Sequence, residues 1–457
     1  GEVLFAHVIA SPGSHQTVIQ QAKGDADKKN KKKSDDGGSS YGGGGGSFDC
    51  TSSPIRPMEV SVTPVGTQHV NVLNNKSEFA VAEDKKGGGS VRGRNFLARF
   101  DQPSDINHHP THTLAFMTNM GTDNVLVLNT GAADPMTNPL AEIAVGQAPM
   151  AIAFSPDGHT AYVLNAHDYT IGEVALKPLL DIAVDQYKTS KLNKNHILPT
   201  QKQTKVLYIK TDTAYSFGDD PMKEELREGR RLFTFAGGGK VSHSNRFACA
   251  SCHLEGDEDK QVWFIADGPR QTPALAGRLL GTGPFNWSGS EDDLSTNIDK
   301  TIERMGGHGL TGKALKSLED FMVHGLVVPP NPNIDSKGLN NAQERGKKLF
   351  YDSKTKCATC HVGSDTTDGL LHDVGTASAV EMQVQKIRAK ASGKNLSTPI
   401  RFNTPSLRGV WHTAPYLHDG SAKTLMDVMN RVPKTMGRTD HLTKAQKADL
   451  VEYLKTL

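Results

Sequence analysis

The sequence has few of the features that would place it in a specialised class of protein. No apolar run approaches the roughly 20 residues that span a bilayer, which excludes a membrane-spanning helix. The formal net charge is only +2, and a nucleic-acid partner would need a concentrated basic face. The chain has five cysteines, and four of them form two close pairs, which is not the pattern of a disulfide framework.

The length and composition predict a globular protein of several domains. A chain of 457 residues is too long for one ordinary core, so two or three domains are expected. Hydrophobic residues make up 36% and charged residues 22%, which suits a chain that folds in water. The chain begins at Gly1 with neither an initiator methionine nor a signal peptide, so we expect it to be processed or incomplete.

The first part of the chain, 1–215, is dominated by short alternating strands and turn residues. A lysine-rich and glycine-rich stretch at 23–47 cannot bury apolar surface and is expected to be a flexible surface insertion. The strands Phe116-Met-Thr-Asn119 and Tyr162-Val-Leu-Asn165 are similar to those of the β-propeller family whose blades carry a Tyr-Val-Thr-Asn strand. The resemblance implies an all-β, propeller-like N-terminal domain with four or five blades.

Two short motifs carry the chemistry, Cys249-Ala-Ser-Cys252-His253 and Cys357-Ala-Thr-Cys360-His361. In the C-x-x-C-H pattern the two thiols add to the vinyl groups of a haem, and the histidine binds its iron from below. The spacing suits this role because both sulfurs and the imidazole must face one edge of the same ring. The sequence therefore predicts two covalently bound haem c groups, with His253 and His361 as the proximal ligands.

The two motifs lie in similar surroundings, which indicates an internal duplication. Glu228-Gly-Arg-Arg-Leu-Phe233 precedes the first motif, and Arg345-Gly-Lys-Lys-Leu-Phe350 precedes the second. Thr-Pro-x-Leu segments begin at Thr272 and Thr404 after the respective motifs. We expect one cytochrome c domain over 219–330 and another over 335–457, with the seam in the proline-rich stretch between them.

The duplication also suggests the sixth ligands of the two irons. Met305 and Met436 stand in equivalent places, each directly before a glycine, and a thioether sulfur is a good sixth ligand for low-spin haem. The alternative is that these methionines fill the core. Other sixth ligands stay open in each half, and they are His308 and Met322 in the first half and Met429 and His441 in the second.

The C-terminal half resembles the bacterial di-haem cytochrome c peroxidase and MauG-like family. The resemblance rests on the paired motifs, on Thr404-Pro-Ser-Leu-Arg-Gly409 and on Thr413-Ala-Pro-Tyr-Leu-His-Asp-Gly420. It implies two mainly α-helical cytochrome c domains and a calcium bound through backbone carbonyls of the Thr413-x-Pro415 turn. It also implies an aromatic residue between the haems, for which the candidates are Trp263, Trp287 and Trp411.

These observations leave two principal functions open. The repeated methionine favours an electron carrier that passes electrons between redox proteins through two His/Met-ligated haems. The family resemblance favours the alternative, an oxidoreductase that reduces hydrogen peroxide at the first haem, so the sequence does not decide whether the chain is an enzyme. A third hypothesis has the propeller bind a substrate or protein partner. Covalent haem attachment predicts a periplasmic or extracellular location.

Other polar clusters in the sequence are given ordinary interpretations. The acidic residues Glu255, Asp257, Glu258 and Asp259 could provide a carboxylate near the first haem, but a solvated loop is the simpler interpretation. The histidines at 108, 109 and 112 are interpreted as a chance cluster in a polar loop, because close spacing alone does not make a metal site. Cys50 could be a free thiol or an intermolecular link.

Overall fold

The computed structural model describes residues 101–130, 140–181, 207–242, 247–265, 267–393, 399–432 and 434–457, together with short pieces before residue 62. The chain divides into two compact units. The first, the β unit, comprises 1–10, 57–224 and 231–251, and the second, the cytochrome unit, comprises 11–56, 225–230 and 252–457. The domain boundaries expected from the sequence, at 215, 219, 330 and 335, stay predictions.

Three sheets form the regular part of the β unit. Strands β1 and β2 pair as a short ribbon, a five-stranded sheet has the order β10-β6-β5-β4-β3, and a four-stranded sheet has the order β11-β9-β8-β7. Strand β10 is parallel to β6, and all other neighbours are antiparallel. The bounds are β1 His7–Ile9, β2 Glu59–Ser61, β3 Pro103–His108, β4 Leu114–Asn119, β5 Asn124–Asn129, β6 Ala141–Ala144, β7 Pro149–Phe154, β8 Thr160–Asn165, β9 Thr170–Ala175, β10 Leu207–Lys210 and β11 Thr213–Ser216.

Alternation of side chains decides which face of each strand is buried. In β8, Ala161 and Val163 are fully buried whereas Tyr162 between them is exposed, as a period of two requires. Strand β4 is buried along its whole length, with Phe116 opposite Val127 of β5. Apolar residues of the four-stranded and five-stranded sheets share one core. The alternation within each strand therefore decides which of its side chains enter this core.

The predicted propeller is wrong. Closing a ring of blades takes at least about four sheets around a channel. In the described ranges the β unit has two sheets of more than two strands, and both are open, with edge strands β10 and β3 in one and β11 and β7 in the other. A Tyr-Val-Thr-Asn-type pattern specifies hairpin pairing within a sheet, but it does not specify how sheets are arranged, so the expected all-β propeller does not follow from it.

Short helices joined by long loops make up the cytochrome unit and the chain just before it. The seven helices α1 to α7, whose bounds are given below, have 7 to 14 residues, so "mainly α-helical" overstates a region in which loops predominate. Two-stranded ribbons β12–β13 and β14–β15 supplement them. The bounds are α1 Glu224–Thr234, α2 Leu294–Arg304, α3 Lys313–His324, α4 Asn341–Phe350, α5 Ala379–Ser392, α6 Leu425–Arg431, α7 Lys444–Leu454, β12 Val262–Ile265, β13 Gly268–Gln271, β14 Leu371–His372 and β15 Phe402–Asn403.

The internal duplication appears in the packing of paired helices. Glycine lets α1 and α3 approach closely, because a side chain at Gly229 would overlap the Ser317 carbonyl oxygen and come within 2.5 Å of Phe321 Cβ. In the second half, Gly346 does the same for α4 and α7, since a side chain there would overlap the Asp449 carbonyl oxygen. The two halves thus use one glycine each to bring a helix before the motif against the last helix of the repeat.

The second half carries one element without a counterpart in the first, the helix α5. Ser378 begins it with a capping box, in which the serine side chain accepts from the Glu381 amide and the Glu381 side chain accepts from the Ser378 amide. Val380 and Val384 of α5 pack against Val18 and Ala22. Among the described residues, no helix is both long and apolar enough to cross a membrane.

Candidate haem sites

The second motif is presented by a short, tightly bonded turn. After α4 ends, the Thr355 hydroxyl donates to the carbonyl oxygens of Leu349 and Asp352, and Lys356 takes a left-handed conformation with φ of 58°. A single 3-10 turn, Cys357–Thr359, follows, and the His361 amide donates to the Cys357 carbonyl oxygen at 3.2 Å. This compact turn holds both thiols and the imidazole to one side.

A cavity of about 310 Å³ lies against these three side chains. Its walls include both thiols and the imidazole of the second motif, together with two methionines, namely Cys357, Cys360, His361, Met429 and Met436. Apolar side chains make up much of the remainder, among them Phe350, Val410 and Leu450. Two thiols, an imidazole and a thioether around one mostly apolar cavity fit the requirements of haem c.

The hydrogen bonding of His361 leaves one ring nitrogen free for iron. Its Nδ1 lies 2.9 Å from the Thr366 carbonyl oxygen, so Nδ1 carries the proton and donates. Nε2 is then an unprotonated donor atom, the form that binds a metal. Burial lowers the pKa of His361, which keeps the imidazole neutral.

The chain directly after Met436 is held against the turn of the attachment cysteine Cys357. The Arg438 amide donates to the Thr355 carbonyl oxygen at 2.6 Å. A side chain at Gly437 would come within 2.8 Å of that same oxygen and 3.6 Å of Cys357 Sγ. Of the alternatives, Met429 also lines the cavity, whereas His441 is exposed and is not part of its wall.

Residues that follow the first motif line the cavity of the second. Glu258, Gln271, Pro273, Arg278 and Trp287 all contribute to its wall. The Trp287 indole donates to the Gln271 carbonyl oxygen at 2.8 Å, which fixes the ring. The halves are therefore interlocked at this site.

Of the three tryptophan candidates, Trp287 is the one in the cavity wall. Trp263 is buried and donates to Asp259 Oδ2 at 2.8 Å and to Thr272 Oγ1 at 3.0 Å. Trp411 lies against the His412 ring, and its indole nitrogen is buried without a hydrogen bond in the described part of the chain.

The first motif has the same local form. Cys249–Ser251 is a single 3-10 turn, and burial raises the pKa of the Cys249 thiol to about 12. His253 Nδ1 is buried and makes no hydrogen bond within the described ranges. Burial lowers the pKa of His253, and the nearby backbone of Pro273 partly opposes this fall. Pro405 stands in the same relation to His361. An imidazole whose buried Nδ1 has no hydrogen-bond partner among the described residues, next to two thiols, fits a second haem c.

The candidate sixth ligands of the first half differ in exposure. Met305 is the C-cap residue of α2 and is half-buried, with its amide donating to the Thr301 carbonyl oxygen at 3.0 Å. Met322 is buried on α3, and His308 is exposed. The assignment of Met305 as a ligand stays a prediction.

One member of the acidic run does not lie in a solvated loop. Glu258 is buried, with Oε2 accepting from Gln271 Nε2 at 3.0 Å and Oε1 lying 3.6 Å from Lys260 Nζ. Burial raises its pKa to about 7, because desolvation outweighs the nearby positive charges. Glu255 is exposed, as a solvated loop requires.

A buried charged network near the second cavity was not visible in the sequence. Glu381 Oε1 pairs with Arg270 Nη1 at 2.5 Å, and Glu381 Oε2 lies 3.0 Å from His418 Nε2. His418 stacks on Phe402 with ring centroids 3.9 Å apart and lines the cavity. The partners come from three distant segments, so only the position of His418 within the Thr413–Gly420 block offered a signal.

Two further polar groups have structural explanations. Asp368 accepts from His372 Nε2 at 2.7 Å, and both groups lie close to Cys360, so this cluster belongs to the second haem site. His109 is buried, with Nε2 donating to the Gly158 carbonyl oxygen at 2.7 Å and Nδ1 accepting two backbone N–H groups. Cys50 lies outside the described residues.

Comparison with known proteins assigns the chain to a family. A family model described as "RoxA-like, cytochrome c-like" matches residues 402–435. Hydrazine synthase subunit gamma of Kuenenia stuttgartiensis is 32% identical over 284 residues, covering 52% of this chain and 79% of the relative. MauG of Methylorubrum extorquens is 25% identical over 284 residues (51% and 78%), and cytochrome c551 peroxidase of Pseudomonas aeruginosa is 25% identical over 254 residues (46% and 72%). With paired haem-attachment motifs and this coverage, the chain belongs to the di-haem family that contains the cytochrome c peroxidases, MauG and hydrazine synthase subunit gamma.

Proposed function

We propose that the chain is an exported di-haem oxidoreductase that reduces hydrogen peroxide, or a similarly small oxidant, at the first haem. Membership of a family whose members include a cytochrome c551 peroxidase and MauG carries this proposal. Reduction of one hydrogen peroxide to two waters takes two electrons and two protons. Reduced redox proteins outside the cytoplasm would supply the electrons, and the second haem would store and pass them on.

Each residue of the motifs has a defined part in this proposal. The thiols Cys249, Cys252, Cys357 and Cys360 fix the two rings by thioether bonds, and His253 and His361 bind the irons. When bound, haem supplies one-electron redox chemistry and, where its sixth position is open, a site for a small oxidant. Met436 and His361 line one cavity, so both could bind an iron held there, and a haem with two protein ligands would suit electron storage.

The interlocked wall of the second cavity supports electron exchange between the two sites. Pro273 lines this cavity, and its backbone also lies beside His253. Trp287 and Gln271 are hydrogen-bonded to each other in the same wall. A short route of bonded and packed groups therefore leads from the second cavity to the His253 imidazole, and we assign Trp287 as the aromatic residue along it.

An electron carrier is the second candidate, and the equivalence of Met305 and Met436 favours it. If both thioethers bind iron, both haems are six-coordinate and neither offers a place for peroxide. The two functions differ in one measurable property, which is whether the first haem becomes high-spin in some redox state.

The test uses EPR and visible spectra of the fully oxidised and half-reduced holoprotein, followed by peroxide turnover with an electron-donating c-type cytochrome. We expect a high-spin haem in at least one of the two states, together with peroxide consumption. The matched control is Met305→Ala, which should leave the half-reduced spectrum unchanged because the oxidant site is already open. Two low-spin haems in both states, with Met305→Ala making one of them high-spin, would establish the carrier instead.

The residues near the Thr413-x-Pro415 turn do not fit the calcium that the family resemblance implied. Lys260 Nζ donates to the carbonyl oxygens of His412 at 3.2 Å and Ala414 at 3.3 Å. Arg278 Nη2 lies 3.4 Å from the Thr413 hydroxyl. Two positive side chains thus border this turn, and a divalent cation beside them would be repelled.

Removal of divalent cations is therefore expected to have no effect. Incubation of the holoprotein with EDTA should leave its half-reduced EPR spectrum and its peroxide turnover unchanged, because the Lys260 ammonium already supplies the positive charge at the turn. Lys260→Met serves as the control variant, since it removes that charge while retaining much of the side-chain volume. Tightly bound calcium in stoichiometric amount, measured by atomic absorption, would contradict this interpretation.

A further inference from the structure

A serine of the first haem motif is hydrogen-bonded to the buried carboxylate of Asp101. The Ser251 hydroxyl, which lies between Cys249 and Cys252 in sequence, is 2.8 Å from both carboxylate oxygens of Asp101. Asp101 is only 2% exposed. The two residues are 150 positions apart, so this contact is specific to the folded β unit.

A closed set of hydrogen bonds fixes this carboxylate. Gln102 uses both hydrogens of Nε2, donating to Asp101 Oδ2 at 2.9 Å and to the Thr234 carbonyl oxygen at 3.0 Å. The Ala248 amide donates to Ser251 Oγ at 2.8 Å, which leaves the serine hydrogen free to point at Asp101. Gly121 is needed alongside, because any side chain there would overlap the carboxylate.

Within the described ranges, the second motif has no comparable contact. Thr359 occupies the place of Ser251, and it is exposed, with its amide donating to the Lys356 carbonyl oxygen. The buried carboxylate is therefore a difference between the two haem sites rather than a general requirement of the C-x-x-C-H motif.

Among the described residues, no cation forms an ion pair with Asp101. Asp123, two residues after Gly121, forms an ion pair with Arg231 on α1. Within the motif, the Cys249 thiol is also titratable, and thioether formation would remove it. Burial raises the pKa of Asp101 to about 7, because desolvation outweighs the hydrogen bonds from Gln102 and Ser251.

We propose that Asp101 is a positioning residue for the first haem and the group that takes up a proton when that haem is reduced. When a haem held at the first motif takes up one electron from a one-electron donor, one proton from solvent would convert the Asp101 carboxylate to the acid. The two events favour each other, because removing a positive charge at the iron weakens the attraction that stabilises the carboxylate. This inference rests on haem attachment at the first motif, as proposed above.

The Ser251 hydroxyl gives the proton a defined place. With Asp101 ionised, Ser251 donates to the carboxylate. With Asp101 protonated, the acid can donate to Ser251 Oγ instead, and the hydroxyl hydrogen turns away. Both states keep the Ala248 amide bonded to Ser251 Oγ, so the motif need not move when the proton arrives.

The experiment is a spectroelectrochemical titration of the holoprotein between pH 5 and pH 9. We expect the potential of the first haem to fall with rising pH around neutrality and that of the second haem to stay nearly constant. A tenfold ratio between the acid dissociation constants of Asp101 in the two redox states corresponds to 59 mV. In Asp101→Asn, which carries no charge, the first potential should be pH-independent and equal to the wild-type value at low pH.

Controls separate this inference from the proposed function. Thr359→Ala changes the residue of the second motif that is equivalent to Ser251, and it should alter neither haem potential. Proton uptake on reduction of the wild type, measured with a pH indicator in unbuffered solution, needs no variant and should be close to one proton per first haem. A flat first potential in wild type with two haems attached, or an unchanged slope in Asp101→Asn, would overturn the role of Asp101 while leaving peroxide turnover intact. A protein without haem at the first motif would instead overturn the proposed function.

Discussion

Replacing Met436 with alanine is expected to convert the second haem from low-spin to high-spin and to lower its reduction potential. Met436 lines the same cavity as His361, and its neighbour Gly437 lies against the Cys357 turn. A thioether ligand stabilises ferrous iron, so its loss favours the ferric state. The change should affect only one of the two haems, so roughly half of the haem absorbance in the visible spectrum should shift.

The same variant should lose nearly all peroxide turnover with a protein electron donor. Under the proposed function the second haem passes electrons to the first, and a lower potential at the second haem slows its reduction by the donor. Reduction potentials, the EPR spectrum and turnover measured on one preparation test these consequences together. Met436→His, which can restore a sixth ligand, should return the second haem to low spin without restoring the original potential.

Met429 provides the matched control, because it is the other methionine in the cavity wall. Its carbonyl oxygen accepts from the Thr439 hydroxyl at 2.8 Å, a backbone contact that substitution of the side chain leaves in place. Met429→Ala should keep a low-spin second haem and lose only packing. If Met429→Ala becomes high-spin and Met436→Ala does not, the ligand is Met429 and the equivalence drawn between Met305 and Met436 is wrong.

Local signals in the sequence predicted the parts of the structure whose chemistry is local. Helices α4 and α7 each begin with a capping box, at Asn340 and Thr443, so both starts are set by residues within one turn of the helix. The duplication was readable because each repeat reuses the same glycine before its motif. Such features depend on neighbours within a few residues, which a single sequence records.

Long-range arrangements were not predictable in the same way. The strand segments 116–119 and 162–165 lie within β4 and β8, but the closure of sheets into a ring depends on contacts that no single strand encodes. The acidic run around Glu258 suggests a solvated loop, but the Glu258 carboxylate accepts a hydrogen bond from Gln271, thirteen positions away. Asp101 and Ser251 are further apart still, and each taken alone is an ordinary polar residue.

Replacing Glu381 with alanine is expected to cost about 3 to 5 kcal/mol of unfolding free energy, because it leaves Arg270 buried without its partner. The side chains of Glu381 and Arg270 are only 2% and 11% exposed. Removing both charges should cost less, so Arg270→Met combined with Glu381→Met should be more stable than Glu381→Met alone. Urea denaturation of the holoprotein, followed by absorbance of the second haem, measures these differences next to the affected cavity.

The surface ion pair between Arg345 and Asp449 is the control for this experiment. It has good geometry, with Nη2 to Oδ1 at 2.7 Å, but the Arg345 side chain is 58% exposed. Solvent screens such a pair, so Asp449→Asn should change the unfolding midpoint very little. A loss as large as that of Glu381→Ala would show that charge removal in general, rather than burial of an unpaired Arg270, destabilises the protein.

The Glu381 network should also give the stability a defined dependence on pH. Burial alone would raise the pKa of Glu381, but the hydrogen bond from His418 and the charge of Arg270 outweigh it and lower the pKa to about 2, from an ordinary value of 4.5. A carboxyl whose pKa is lowered on folding contributes stability that is complete above about pH 4.5 and is lost as the pH falls toward 2. Asp101 and Glu258, whose pKa values are raised, act in the opposite sense, with their effect falling at higher pH. The difference in unfolding free energy between wild type and Glu381→Gln should therefore shrink by about 3 kcal/mol between pH 5 and pH 2. A difference that stays constant over this range would mean that Glu381 stabilises the fold through its shape and hydrogen bonds rather than through its charge.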